Sequence, residues 1–166
     1  VSGAVVDGYI AGATVFIDEN ANGILDAGEV STKSDASGDW SLEQREGQII
    51  SIGGTDVSTG ASLEGMFLTA PSGSTVITPM TTLIHNFSGQ VSQLKVKLGI
   101  DQSIDINTYD PISVLLLDPD NVIANEFLQV NQQILSIAMA IGSLAEGGDS
   151  SLTSAEAFSA VINAIA

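Results

Sequence analysis

The chain has 166 residues, 44% of them apolar and 5% aromatic, with 20 acidic side chains against 4 basic ones and a net charge of −16. A surface that negative repels nucleic acid and anionic membranes, so neither is expected as a partner. The absence of cysteine excludes a disulfide framework and thiolate metal sites, although not secretion. The length suits one domain, or two small ones sharing an interface. No apolar run approaches the roughly 18–20 residues that span a bilayer, so no membrane insertion is expected. The chain opens at Val1 without a Met or the basic and apolar regions of a signal peptide. It reads as a segment of a longer protein, with neighbouring domains as partners.

Up to residue 78, Gly, Ser, Thr and Val dominate and the apolar period is close to two. The runs GAVVDG, ATVFID, EVSTKSD, DWSLE, QIISIGG, GMFLTA and STVIT are separated by turn residues. They predict a seven-stranded antiparallel β-sandwich over residues 1–78. In the turn DASGD, Gly38 is free to take a positive φ.

From residue 79 the period is helical. Thr78-Pro79 and Asp110-Pro111 each pair a capping side chain with proline at the first helical position. Val91, Leu94 and Leu98 share one face, and Gly99 follows as a C-terminal cap. The longest helix is predicted over NEFLQVNQQILSIAMAIGSLAEGG. Phe127, Ile134, Ile137, Ile141 and Leu144 lie along its apolar stripe, with Asn131, Gln132 and Gln133 on or beside the polar face, and Leu135 and Met139 widen the apolar surface. EGGDSS reads as a linker. LTSAEAFSAVINAIA then opens with a capping box, Thr153 to Glu156, and buries Phe158, Val161, Ile162 and Ile165. The whole is expected to be α+β: a sandwich over 1–78, then a small helical bundle over 79–166 packed on it.

DENANGILDAGE, residues 18–29, has the spacing of a calcium loop. Asp18, Asn20 and Asn22 occupy positions 1, 3 and 5, and Gly23 occupies position 6, where the chain must turn sharply. Ile24 at position 7 offers its backbone carbonyl, Asp26 stands at position 9, and Glu29 at position 12 supplies a bidentate carboxylate. Calcium takes roughly six to eight oxygens at ~2.3–2.6 Å, and a chain coiled about the ion delivers them from one segment. The flanks are strands, so there is no helix pair to open. The ion is expected to staple an inter-strand connection. Asp35 is a candidate extra ligand; the competing reading makes it the Asx-turn residue of SDASGD.

The stretch GATVFIDENANGILDAGEVSTKSDASGDWSL resembles the calcium-binding β-sandwich repeats of bacterial surface proteins, including B-type repeats of adhesins and transthyretin-like domains. Such domains share Gly-x-x-Val-x-(Leu/Ile)-Asp, an Asp-x-Asn-x-Asn-Gly loop and Thr-x-x-Asp-x-x-Gly-x-(aromatic); Gly12 to Asp18 match the first part, and Asp35, Gly38 and Trp40 the last. The following GGTDVSTGASLEGMFLTAPSGSTVITPMTTLI is similar to segments of very large secreted adhesins of the repeat-in-toxin type. The resemblance implies a non-enzymatic, calcium-stabilised module of a secreted or cell-surface bacterial adhesin. It would serve as an extender or as a platform for a surface glycan or protein ligand. The alternative is a carbohydrate-binding accessory module of a secreted enzyme, which calls for exposed aromatics beside the loop. Trp40 and Tyr9 are the candidates for stacking on a sugar, with packing at a sandwich edge as the competing role for Trp40.

Asp105, Asn107 and Asp110 of DINTYDP, with Asp118 and Asp120 downstream, are candidates for a second cation site. Helix capping is the simpler use for them. The single histidine, His85, is expected on a helix surface or at a cap. No phosphate loop, nucleophile elbow or catalytic carboxylate pair stands out.

Overall fold

Short β-forming runs punctuated by glycine build the first half of the molecule. A computed structural model describes residues 1–148. Among them nine strands form: β1 (Ser2–Val5), β2 (Ile10–Ala11), β3 (Thr14–Asp18), β4 (Ser31–Lys33), β5 (Asp39–Ser41), β6 (Gln48–Ile52), β7 (Thr55–Asp56), β8 (Phe67–Ala70) and β9 (Val76–Ile77). Four helices follow: α1 (Pro79–Asn86), α2 (Val91–Lys97), α3 (Pro111–Leu117) and α4 (Val122–Gly148). The fold is α+β.

Four strands form an antiparallel sheet in the order β4-β3-β6-β8. A second sheet has the order β5-β1-β9, and β2 with β7 makes a small ribbon. Each of the seven predicted runs carries a strand. The two additional strands have two residues each, too few to print a period on the sequence. The expectation of purely antiparallel pairing fails at one place, because β9 runs parallel to β1, with Ala4 opposite Val76. A parallel pair needs a long connection. Here β2 through β8 intervene, and β9 leads directly into α1.

Val15, Phe16 and Ile17 are all buried. Successive strand residues point to opposite faces, so β3 is covered on both sides. A single apolar cluster runs from Phe16, Ile49 and Leu68 in the sheet through Met80 and Leu83 of α1 to Phe127 and Ile134 of α4.

Threonines weld the strands to the helices. Strand β8 is the sheet edge, and an edge exposes unpaired backbone groups. Here the Thr69 N–H donates to Thr82 Oγ1 at 2.9 Å, and its carbonyl accepts from Thr81 Oγ1 at 2.8 Å. Both partners lie on α1, so a helix covers the edge that another strand would otherwise extend. Thr78 caps α1 as the sequence predicts, in a reciprocal box with Thr81.

Two expectations on α4 need correction. Asn131, expected on or beside the polar face, is 1% exposed; its Oδ1 accepts from the Met80 N–H at 2.9 Å. Thus α4 supplies a cap to the start of α1, a pairing across 51 residues that periodicity cannot register. Ile137, expected on the buried stripe, is 48% exposed. The stripe turns instead through Leu135 and Ala138, which are buried. On α2 only Leu94 is buried, whereas Val91 is exposed. The predicted terminal helix, with Thr153, Glu156, Phe158, Val161, Ile162 and Ile165, lies outside the described residues.

Candidate metal centre

The segment from Asp18 to Glu29 joins the end of β3 to the start of β4, its antiparallel neighbour. Asp18 closes β3 opposite Gln48 of β6 and is 1% exposed, while the loop beyond it faces solvent. Its carboxylate is held from several directions. Oδ1 accepts from the Asn22 N–H at 3.2 Å, and Oδ2 accepts from the Gly23 N–H at 2.8 Å and from Gln48 Nε2 at 2.7 Å. Burial works to raise its pKa, but bonds from the Gln48 side chain and from the Gly23, Asn22 and Ala21 backbone outweigh it. Asp18 therefore ionises below the usual carboxylate range.

The coil depends on left-handed backbone. Gly23 has φ +77°, as position 6 of the loop requires, and Ala21 has φ +59°. Ala21 is the one non-glycine with positive φ among the described residues, a conformation disfavoured for a residue with a Cβ. The loop holds it there with alternating side-chain oxygens. Asn20 Oδ1 accepts from the Asn22 N–H at 3.0 Å, and Asn22 Oδ1 accepts from the Ile24 N–H at 2.8 Å. Glu29 folds back over the loop, accepting from the Glu19 N–H and the Asp26 N–H, each at 2.9 Å. Asp26 Oδ2 accepts from both Asn20 Nδ2 and Asn22 Nδ2 at 2.7 Å. Side chains and backbone N–H groups of the loop thus form one polar knot that includes Asp18, Asn20, Asn22, Asp26 and Glu29.

Among the described residues, no three His, Cys, Asp or Glu side chains stand together as a metal-holding group. The donors of the knot are mixed: carboxylates of Asp18, Asp26 and Glu29, and amides of Asn20 and Asn22. Ile24 is 64% exposed and packs against nothing that its side chain needs.

Asp35 lies away from this knot. Strand register places Lys33 opposite Thr14 and Ser31 opposite Phe16, so Asp35 sits past the far end of the strand pair from Asp18. Four residues of strand separate Thr14 from Asp18, about 13 Å at ~3.3 Å per residue, beyond the reach of a shared ion. Its Oδ1 accepts from the Ser37 and Asp39 N–H groups instead, the Asx-turn role. Gln48 and Gly47 went unnoticed in the sequence although they secure the loop. A Cβ at Gly47 would lie 2.5 Å from the Asp18 carbonyl oxygen. No spacing rule marks either residue, because both reach Asp18 through strand pairing.

The second Asp/Asn cluster is dispersed over structural duties. Asp110 Oδ1 caps α3, accepting from the Ile112 and Ser113 N–H groups, and its Oδ2 accepts from the Tyr9 hydroxyl at 2.9 Å. Asp105 closes its own turn onto the Asn107 N–H, while the Asn107 carbonyl accepts from the Thr75 and Val76 N–H groups. Asp118 accepts from Asn121 Nδ2, and Asn121 Oδ1 accepts from the Ala124 N–H at the start of α4. Asp120 is exposed beside them. His85 is exposed in the last turn of α1. Trp40 is 3% exposed within the core and offers no free ring face for a sugar, while Tyr9 is half-buried with its hydroxyl donating to Asp110.

Asp7, in the β1–β2 turn, has a buried Oδ1 without a hydrogen-bond partner. Burial, helped by the nearby Asp56 carboxylate, raises its pKa from 3.8 to about 7. Asp56 shifts the other way. Burial raises it, but bonds from Ser58 and Thr59 bring it below the ordinary value.

No family model, curated protein or solved structure matches the chain. Among the described residues, no helix is long and apolar enough to cross a membrane.

Proposed function

We propose that Asp18–Glu29 binds a calcium ion and that the chain is a non-enzymatic, calcium-stapled module of a secreted bacterial adhesin. The observation that carries this reading is the knot itself. The Asn20 and Asn22 amides meet on Asp26, while the Asp18 and Glu29 carboxylates bind backbone N–H groups of the same loop. The coil that brings them together is set by Gly23. Asp18, Asn20, Asn22 and Asp26 would hold the ion through their side-chain oxygens, with the amide–Asp26 hydrogen bonds given up in exchange. The Ile24 carbonyl and both Glu29 oxygens complete a set of the size calcium takes. A bound ion would offset the negative charge of the loop and fix the path from β3 to β4.

In the same reading, the four- and three-stranded sheets are the two layers of a seven-stranded sandwich over 1–78, and helices α1 to α4 form a helical subdomain packed on it. The change from strand to helix between Ile77 and Pro79 supports that boundary. The resemblance of residues 12–42 to adhesin repeats supports an extracellular setting, where calcium is abundant. The module then acts as an extender or a ligand platform in a longer chain. A carbohydrate-binding role is less well supported, because Trp40 is buried.

Limited proteolysis and binding of a hydrophobic dye, each with and without calcium, test the staple. Cleavage between Glu19 and Ala27 should slow with calcium while dye fluorescence stays flat. Calcium-induced dye binding with no gain in protease resistance would replace the staple with a regulated interaction surface.

A further inference from the structure

Asn22 precedes Gly23, and no other asparagine in the chain precedes a glycine. Asparagine is among the thermolabile residues. A following glycine exposes it most, because no Cβ shields the backbone nitrogen that attacks the side chain.

In the folded loop both reacting parts are restrained. The Gly23 N–H is tied to Asp18 Oδ2 at 2.8 Å. The Asn22 side chain is held at both ends: Oδ1 accepts from the Ile24 N–H at 2.8 Å, and Nδ2 donates to Asp26 Oδ2 at 2.7 Å. The anchor is firm, since Asp18 is 1% exposed and also holds Gln48. The dipeptide nevertheless sits on the surface, with Asn22 exposed to water.

We propose that Asn22–Gly23 is a deamidation site gated by this loop: the closed knot suppresses the reaction, and each opening permits it. The chemistry needs only water. The Gly23 nitrogen gives its proton to solvent and forms a bond to Asn22 Cγ. The Cγ–Nδ2 bond breaks, and the nitrogen leaves as ammonia after taking up a proton. Water then opens the cyclic imide at either carbonyl, leaving aspartate or isoaspartate. One water enters and one ammonia departs, with no redox change. Isoaspartate lengthens the backbone by a methylene at the tightest point of the coil, so Gly23 can no longer reach Asp18 in register. The conversion is irreversible and counts the time the loop has spent open. The restraint comes from hydrogen bonds of the chain itself and does not rest on the calcium reading.

The test follows Asn22 by mass spectrometry of its peptide during incubation at one temperature and pH. The arms are native protein with calcium, native protein with chelator, and protein unfolded in urea with chelator. Asn20, followed by Ala21, is the internal comparator. Bonds to a charged acceptor restrain such a step by about tenfold or more. Native protein should therefore lose Asn22 at least about tenfold more slowly than unfolded protein. Folded Asp18→Ala should recover much of the unfolded rate, with Gln48→Ala as the milder variant if Asp18→Ala does not fold. Equal rates in native and unfolded protein would overturn the gate, as would undiminished protection in both variants. Protection that is equal with and without calcium supports the hydrogen-bond lock and counts against calcium binding at the loop.

Discussion

Two segments of this chain are rich in Asp and Asn, and they spend their oxygens differently. In the 105–110 turn, Asp105 closes its own turn, but Asp110 and the Asn107 carbonyl serve distant or helical partners. Asp110 holds α3 and Tyr9, and the Asn107 carbonyl holds the strand that begins at Val76. In the 18–29 loop nearly every acceptor serves the loop itself, and Gln48 is the main outside partner. A carboxylate committed to a helix end cannot leave without uncapping the helix. A knot that satisfies only itself can exchange its internal bonds for a cation. Asp/Asn density alone therefore does not mark a metal site; on the proposed calcium reading, what the oxygens already hold separates the two segments.

The largest effect should come from Asp18→Ala, which undermines the loop from its buried end. It strands Gln48 and the Gly23 N–H, and bonds to a charged acceptor are worth roughly 1.5–3 kcal/mol each. Chemical denaturation should show a loss of about 3 kcal/mol, and any calcium-dependent rise in melting temperature should disappear with it. If stability falls but the calcium response survives, Asp18 is a structural residue and not a ligand.

Asp110→Ala should cost about 1–2 kcal/mol, as expected for a lost helix cap, with the Tyr9 hydroxyl left unpaired. Its calcium response should match that of the wild type. A variant that loses the response as well would erase the contrast between the two segments.

One further effect is visible only as a pH dependence. Asp7 has a folded pKa of about 7, raised from 3.8, so the folded state holds a proton that the unfolded state releases. Its stabilising contribution is complete below pH 4 and declines as pH rises toward 7. One pKa unit corresponds to about 1.4 kcal/mol. Asp7→Asn should therefore gain stability relative to the wild type at pH 8 compared with pH 4.5, in paired denaturation curves. Parallel curves at both pH values would show that Asp7 ionises normally.

The strands were readable because each of the seven runs is bounded by turn residues, and the α1 and α3 starts because Thr78-Pro79 and Asp110-Pro111 are local signals. The local hydrogen-bonded coil of the 18–29 loop was readable for the same reason: its polar residues lie within twelve consecutive positions. What escaped the sequence is long-range. Asn131 looks like a surface residue until α4 brings it to the α1 N-terminus. Thr81 and Thr82 look like ordinary helix positions until β8 proves to be an edge. Gln48 acquires its role only through the register of β6 against β3. The misplacement of Asp35 has the same origin, since proximity in sequence to Glu29 is undone by the length of β4.

Calorimetric titration of chelator-stripped protein with calcium, paired with thermal melts, tests the central claim most directly. The account predicts one site with a dissociation constant on the order of 10⁻⁴–10⁻³ M, as in extracellular modules. At a hundredfold excess over that constant, stability should rise by about 2.7 kcal/mol. No heat of binding and an unchanged melting temperature at saturating calcium would contradict it.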